Sequence, residues 1–66
     1  MPFTQVFRAL YEYEPLEEEE LAFQEHAILG MINDIDDGWM MGCQVHDLDC
    51  SGLIPKNYIE IVKLLI

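Results

Sequence analysis

The stretch GLIPKNYIEIV, residues 52–62, reads as an apolar strand that a proline stops, that pauses for Lys56-Asn57-Tyr58, and that then restarts as Ile59-Glu60-Ile61-Val62. Pro55 has no N–H to give to a strand ladder, so a strand ends there. Three residues are enough for one tight helical turn before the apolar alternation resumes. A segment built only to fill a core has no reason to break off and hold out a tyrosine, so the interruption asks for a purpose.

Working outward, the rest of the chain supports a small all-β fold. Short apolar or alternating segments are broken by turn residues at spacings of about 8 to 12, the pattern of a small barrel or sandwich. VFRAL (6–10) alternates and is expected as the first strand, followed by a long acidic excursion over 11–20. LAFQEHAILGMI (21–32) opens with the alternating pair Leu21 and Phe23, turns near Glu25-His26, and continues as a strand through Ile32. NDIDDG (33–38) is a turn by composition. WMMGCQV then forms a strand, HDLD (46–49) a hairpin tip, and CSGLI the return strand that Pro55 ends. The glutamates of 17–20 suit a helix by propensity, but Pro15 precedes them and no apolar stripe of helical period runs through them, so they belong to a loop.

Composition narrows the function. With 66 residues the chain is one domain near the size at which a single core is marginal, and it has no room to bury a multi-residue catalytic centre. No Ser-His-Asp or Cys-His-base set is expected to be desolvated, so an enzyme is not expected. The net charge is -10, from 13 acids against Arg8, Lys56 and Lys63. Such a chain repels nucleic-acid phosphates and anionic lipid and attracts cationic segments of other proteins. Its uncharged stretches fall well short of the roughly 20 residues of a membrane span, and Met1-Pro2-Phe3 is no secretory start, so a cytoplasmic setting is expected. The apolar KLLI (63–66) is unusual for a free terminus, which suggests that the natural chain continues.

Four blocks then share one pattern. ALYEY (9–13), EEELAF (18–23), DDGW (36–39) and GLIPKNYIEIV (52–62) together resemble the Src-homology 3 (SH3) family, in order and at workable spacing, over roughly residues 6–62. The resemblance implies a five-stranded barrel of two orthogonally packed antiparallel sheets with one short 3-10 turn, flanked by segments 1–5 and 63–66. It implies a binding module for proline-rich P-x-x-P peptides in polyproline II form. By position, Tyr11, Tyr13, Trp39, Pro55 and Tyr58 line two shallow slots for X-Pro pairs, and Asn57 supplies a hydrogen bond. Glu18, Glu19 and Glu20, with Asp36 and Asp37 across the groove, receive an Arg or Lys of the ligand. No cofactor or metal is implied, and the isolated domain is expected to be a monomer.

The physics of the ligand fits these residue types. Polyproline II has no internal hydrogen bonds and little entropy left to lose, so flat aromatic ridges can hold it with few polar contacts. Each residue also has a blander reading. Tyr11 and Tyr13 could be strand-end aromatics packed on the barrel, and a run of glutamates is ordinarily a solvated face. An aromatic cage for methyl-lysine on a similar barrel, or a self-associating edge strand, would be the alternatives. Pro55 with Asn57 and Tyr58 favours the proline-rich ligand, because a cage does not require them.

Departures from the family pattern carry their own expectations. Met40 stands where a second tryptophan is usual and should alter packing more than recognition. His26-Ala27 stands where Gly-Asp is usual, at a turn that wants a left-handed residue, and histidine is among the side chains that tolerate one. YEP, EELA and DIDD bear a narrower likeness to the first such domain of fungal actin-patch endocytic adaptors. Cys43 and Cys50 are expected to face each other on neighbouring strands near His46. That set lacks the closed four-ligand shell of structural zinc, and free thiols suit a reducing cytosol.

Overall fold

Strand β1 (Gln5–Ala9) is followed, after the acidic excursion, by β2 (Ile28–Asp34), β3 (Trp39–Gln44), β4 (Asp47–Pro55), a 3-10 turn over Lys56–Tyr58, and β5 (Ile59–Leu64). The computed structural model describes residue 3 and residues 5–64, with side chains through Val62. All strand pairs are antiparallel, and hydrogen bonding runs without a break through the order β4-β3-β2-β1-β5. The expected five-stranded barrel is formed by this one hydrogen-bonded sheet curling on itself. Residues 65 and 66 of the apolar KLLI lie outside the described residues.

Curling follows from where the apolar side chains go. Phe7 and Ala9 from β1, Leu29 from β2, Met40 from β3 and Ile54 from β4 meet Leu21 and Phe23 in one buried cluster. Residues on strands as far apart as β1 and β4 could not share a cluster across a flat sheet. Leu21 and Phe23, expected to begin a strand, instead cross the barrel as an irregular segment, anchored by a bridge between Phe23 and Tyr13. Met40 is fully buried, so the departure from tryptophan is a matter of core packing. His26 has φ 73°, the left-handed conformation expected of it, and its N–H donates to the carbonyl of Ala9.

Outside that cluster, Phe3 is buried on the other face of the sheet. A Cβ at Gly30 would lie 2.4 Å from the Phe3 ring, so the absence of a side chain at Gly30 makes the seat for it. Cys43 pairs with Gly30 across β2 and β3 and is buried as well. Burial pushes the Cys43 thiol above its ordinary pKa, with smaller contributions from Asp47 and Cys50.

The β3–β4 hairpin corrects two expectations. Gln44 pairs with Asp47 across a turn at Val45-His46, so the tip is tighter and earlier than HDLD. Cys43 pairs with Ser51, not Cys50, because the register slips and Leu48, Asp49 and Cys50 bulge from β4. Cys43 is buried, Cys50 is exposed, and both thiols are free.

Candidate functional site

The interrupted segment is where the surrounding loops attach. At its start, Leu53 N–H donates to the Glu19 carbonyl at 2.8 Å and the Leu53 carbonyl accepts from Leu21 N–H at 2.9 Å. That parallel pairing brings the acidic excursion onto β4, and Gly52 permits it. A Cβ at Gly52 would stand 2.8 Å from the Glu19 oxygen and 2.9 Å from Leu21 nitrogen, closer than real Cβ atoms come to backbone. Two residues on, buried Pro55 pairs with Trp39 of β3. Lys56 N–H then donates to the Gly38 carbonyl at 2.9 Å, while its ammonium meets the Asp34 carboxylate, which ties the 35–38 turn to the 3-10 turn. Finally the Tyr58 carbonyl accepts from Leu10 N–H at 2.7 Å, fastening the 3-10 turn to the end of β1.

These attachments gather the aromatic rings. Tyr58 meets Tyr11 edge-on at 5.6 Å between centroids and Tyr13 at 5.1 Å with an interplanar angle of 76°. Tyr13 in turn stacks on the buried Phe23 at 5.6 Å. Edge-to-face and offset stacked contacts are the favourable aromatic geometries, so the three tyrosines form one stiff shelf founded on the core. Tyr11 is 58% exposed, Tyr13, Trp39 and Tyr58 are half-buried, and Asn57 is exposed on the 3-10 turn. Trp39 joins the shelf through Pro55 and the turn, with no ring contact to the tyrosines.

The acids divide into two kinds. Glu18, Glu19 and Asp37 are exposed. Asp36 accepts hydrogen bonds from the N–H groups of Gly38 at 2.8 Å and Trp39 at 3.0 Å, closing the turn that presents the indole. Glu20 is half-buried, and one of its oxygens, Oε1, accepts from the Tyr13 hydroxyl at 2.6 Å and from Leu16 N–H at 2.9 Å. The Glu20 carboxyl is held below its usual pKa, first by the Tyr13 hydroxyl and then by Leu16 N–H. The same contact pushes the Tyr13 hydroxyl up to about 12, because the proton it donates is hard to remove beside a carboxylate. Leu16, at the tip of this loop, is 86% exposed.

Two contributors lie outside the residues expected at the site. Gly52 heads the quoted motif, and a glycine inside a strand is a signal of close backbone approach. The Lys56–Asp34 pair left no signal, since it joins charges far apart in the chain. A cavity of about 350 Å³ opens elsewhere, lined by Phe7, Met31, Met40, Ile59 and Ile61 with Gln5, Asp34 and Lys56. It includes none of the eleven side chains expected at the site. Among the described residues, no helix is long and apolar enough to cross a membrane.

The model of the variant SH3 domain family matches residues 9–60. Human nebulette is 38% identical over 62 residues, which are 94% of this chain and 6% of that protein. The actin cytoskeleton-regulatory complex protein SLA1 of Vanderwaltozyma polyspora is 32% identical over 68 residues, 96% of this chain and 6% of that protein. SLA1 is a fungal protein of the actin cytoskeleton, the kind to which the narrower sequence likeness pointed. The chain spans only a small part of these relatives. Among solved structures, the C-terminal SH3 domain of myosin IB from Entamoeba histolytica, bound to a peptide, aligns with a TM-score of 0.78 at 30% identity, over 96% of this chain and 100% of that one. The four sequence blocks, the curled five-stranded sheet and these matches lead to one conclusion: the chain belongs to the SH3 family of protein-interaction modules.

Proposed function

We propose that this domain is a non-enzymatic adaptor module that binds proline-rich P-x-x-P segments carrying a flanking Arg or Lys. Tyr11, Tyr13, Trp39, Pro55 and Tyr58 form the slots for X-Pro pairs, and Asn57 donates to a ligand carbonyl. Glu18, Glu19 and Asp37 attract the cation, in the neighbourhood that Glu20 and Asp36 shape. The observation that carries the reading is the ring arrangement: Tyr58 touches both Tyr11 and Tyr13, while Pro55 at the head of the same turn pairs with Trp39. The peptide bound to the myosin IB domain supports it, as does the actin-cytoskeletal name of the SLA1 relative, which favours a cytoplasmic scaffold.

Titrating a basic proline-rich peptide while following Trp39 fluorescence tests the proposal. The small contact area sets the expected dissociation constant at about micromolar. No response at high micromolar peptide, or binding that survives Trp39→Lys, would overturn it. Raising the salt should weaken binding, because exposed ion pairs are screened within about 10 Å at 0.1 M salt. Affinity that is flat across ionic strength would remove the acidic end from the account.

A further inference from the structure

Glu20 occupies the acidic run, yet its carboxylate points back into its own loop. Oε1 accepts from the Tyr13 hydroxyl at 2.6 Å and from Leu16 N–H at 2.9 Å, so both of its lone pairs are engaged inside the protein. The loop is closed around that atom. Glu20 N–H donates to the Glu17 carbonyl at 3.2 Å, and Tyr13 and Phe23 exchange backbone hydrogen bonds at 2.9 and 3.3 Å. A guanidinium fork needs two free carboxylate oxygens to bind bidentately, and Glu20 has one. Its exposed neighbours Glu18 and Glu19 make no side-chain hydrogen bond among the described residues and are free for a ligand's cation.

We propose that Glu20 is a positioning residue whose carboxylate fixes the Tyr13 ring in the shelf, and that the ligand's cation is left to Glu18, Glu19 and Asp37. The proposal rests on the peptide-binding reading above. Tyr13 is the ring that joins the shelf to the core, stacked on Phe23 on one side and edge-on to Tyr58 on the other. Its hydroxyl proton, given to Glu20, is withdrawn from the carbonyls of the ligand. The hydrogen bond therefore serves orientation, and the charge of Glu20 is secondary to its ability to accept.

A set of titrations with one basic proline-rich peptide, each at several salt concentrations, separates acceptor from charge. Binding by the wild-type domain establishes the peptide reading first, so its failure is distinct from any failure below. Loss of one oriented hydrogen bond is a change of about fivefold. Glu20→Ala and Tyr13→Phe should each weaken binding by about that factor, and the double variant no more than either alone, with the wild-type salt slope kept. Glu20→Gln, which keeps an oxygen for the Tyr13 hydroxyl without the charge, should recover most of the loss. Glu18→Gln with Glu19→Gln should flatten the salt dependence. The proposal is overturned if Glu20→Gln is as damaging as Glu20→Ala and shallows the salt slope, or if Tyr13→Phe binds like wild type. Because Tyr13→Phe and Glu20→Gln both preserve side-chain volume, they keep the test intact even where Glu20→Ala does not fold.

Discussion

The two longest departures from plain strand in this domain are built in opposite ways. The excursion from Tyr11 to Ala27 is nearly free of regular structure, yet it is bolted at each stage: to itself through Tyr13 and Phe23, to β4 through Leu53, and to the core through Leu21 and Phe23. The β3–β4 hairpin is almost all strand, yet Asp47 to Ser51 are exposed and three of these residues bulge out of register. Regularity and fixity are therefore different properties. The irregular loop is anchored and carries half of the shelf, whereas the regular hairpin ends in an exposed, bulged tip on which no part of the shelf rests.

If the excursion is structural, cutting its foundation should undo the domain. Phe23 is 2% exposed and supports Tyr13 from beneath. Phe23→Ala should cost about 3–5 kcal/mol, enough in a domain of this size to abolish the folded state at 37 °C. Loss of the cooperative thermal transition is the expected result, and a transition within a few degrees of wild type would show that the loop is merely appended. Gly52→Ala tests the docking more gently. Its methyl would collide with the Glu19 and Leu21 backbone, and relieving such overpacking costs about 1–3 kcal/mol. Because relief means moving the acidic loop, peptide affinity should fall along with the melting temperature.

A third test reads the Tyr13–Glu20 contact through pH. The Tyr13 hydroxyl is raised from 10.0 to about 12, first by its hydrogen bond to Glu20, then by desolvation and the nearby negative charge. A raised folded-state pKa means that the contact's stabilisation is complete below pH 10 and is lost as pH climbs through about 12. Glu20 is lowered, so its contribution is present at neutral pH and fades as pH falls through its folded value. Denaturant midpoints should therefore decline between pH 10 and 12 in the wild type and decline less in Tyr13→Phe. Identical alkaline limbs would mean that the hydroxyl has no partner in solution.

How much of this could be read beforehand depended on whether the signal was local. The strands, the pause after Pro55 and the left-handed His26 were legible, because proline, turn residues and apolar alternation act on the backbone where they stand. The meeting of Tyr11, Tyr13 and Tyr58 follows the family pattern, and Trp39 is tied to them only through its pairing with Pro55. Hidden features were those that depend on register or on the direction of a side chain. Six neighbouring glutamates look alike in sequence, and only the fold distinguishes Glu20, turned to Tyr13, from Glu18 and Glu19, turned to solvent. The Cys43–Cys50 pairing failed for a similar reason, since a bulge leaves no mark in the residue types on either side of it.

The smallest effect is expected at the hairpin, where the comparison is most easily broken. Leu48 is 55% exposed, and the bulge it belongs to lies between the Gln44–Asp47 and Cys43–Ser51 pairs. Removing Leu48 and Asp49 together takes away two residues, the strand period, so Cys50 is left as a single bulged residue and every later side chain of β4 keeps its face. Neither deleted residue touches the core cluster or the shelf. Stability should stay within about 0.5 kcal/mol of the wild type, the range of surface changes away from special features, and peptide affinity should not move. A loss of affinity on this deletion would mean that the hairpin tip communicates with the shelf through β4. In that case the bulged tip would belong to the functional unit, and the contrast between an anchored loop and an exposed hairpin would have to be abandoned.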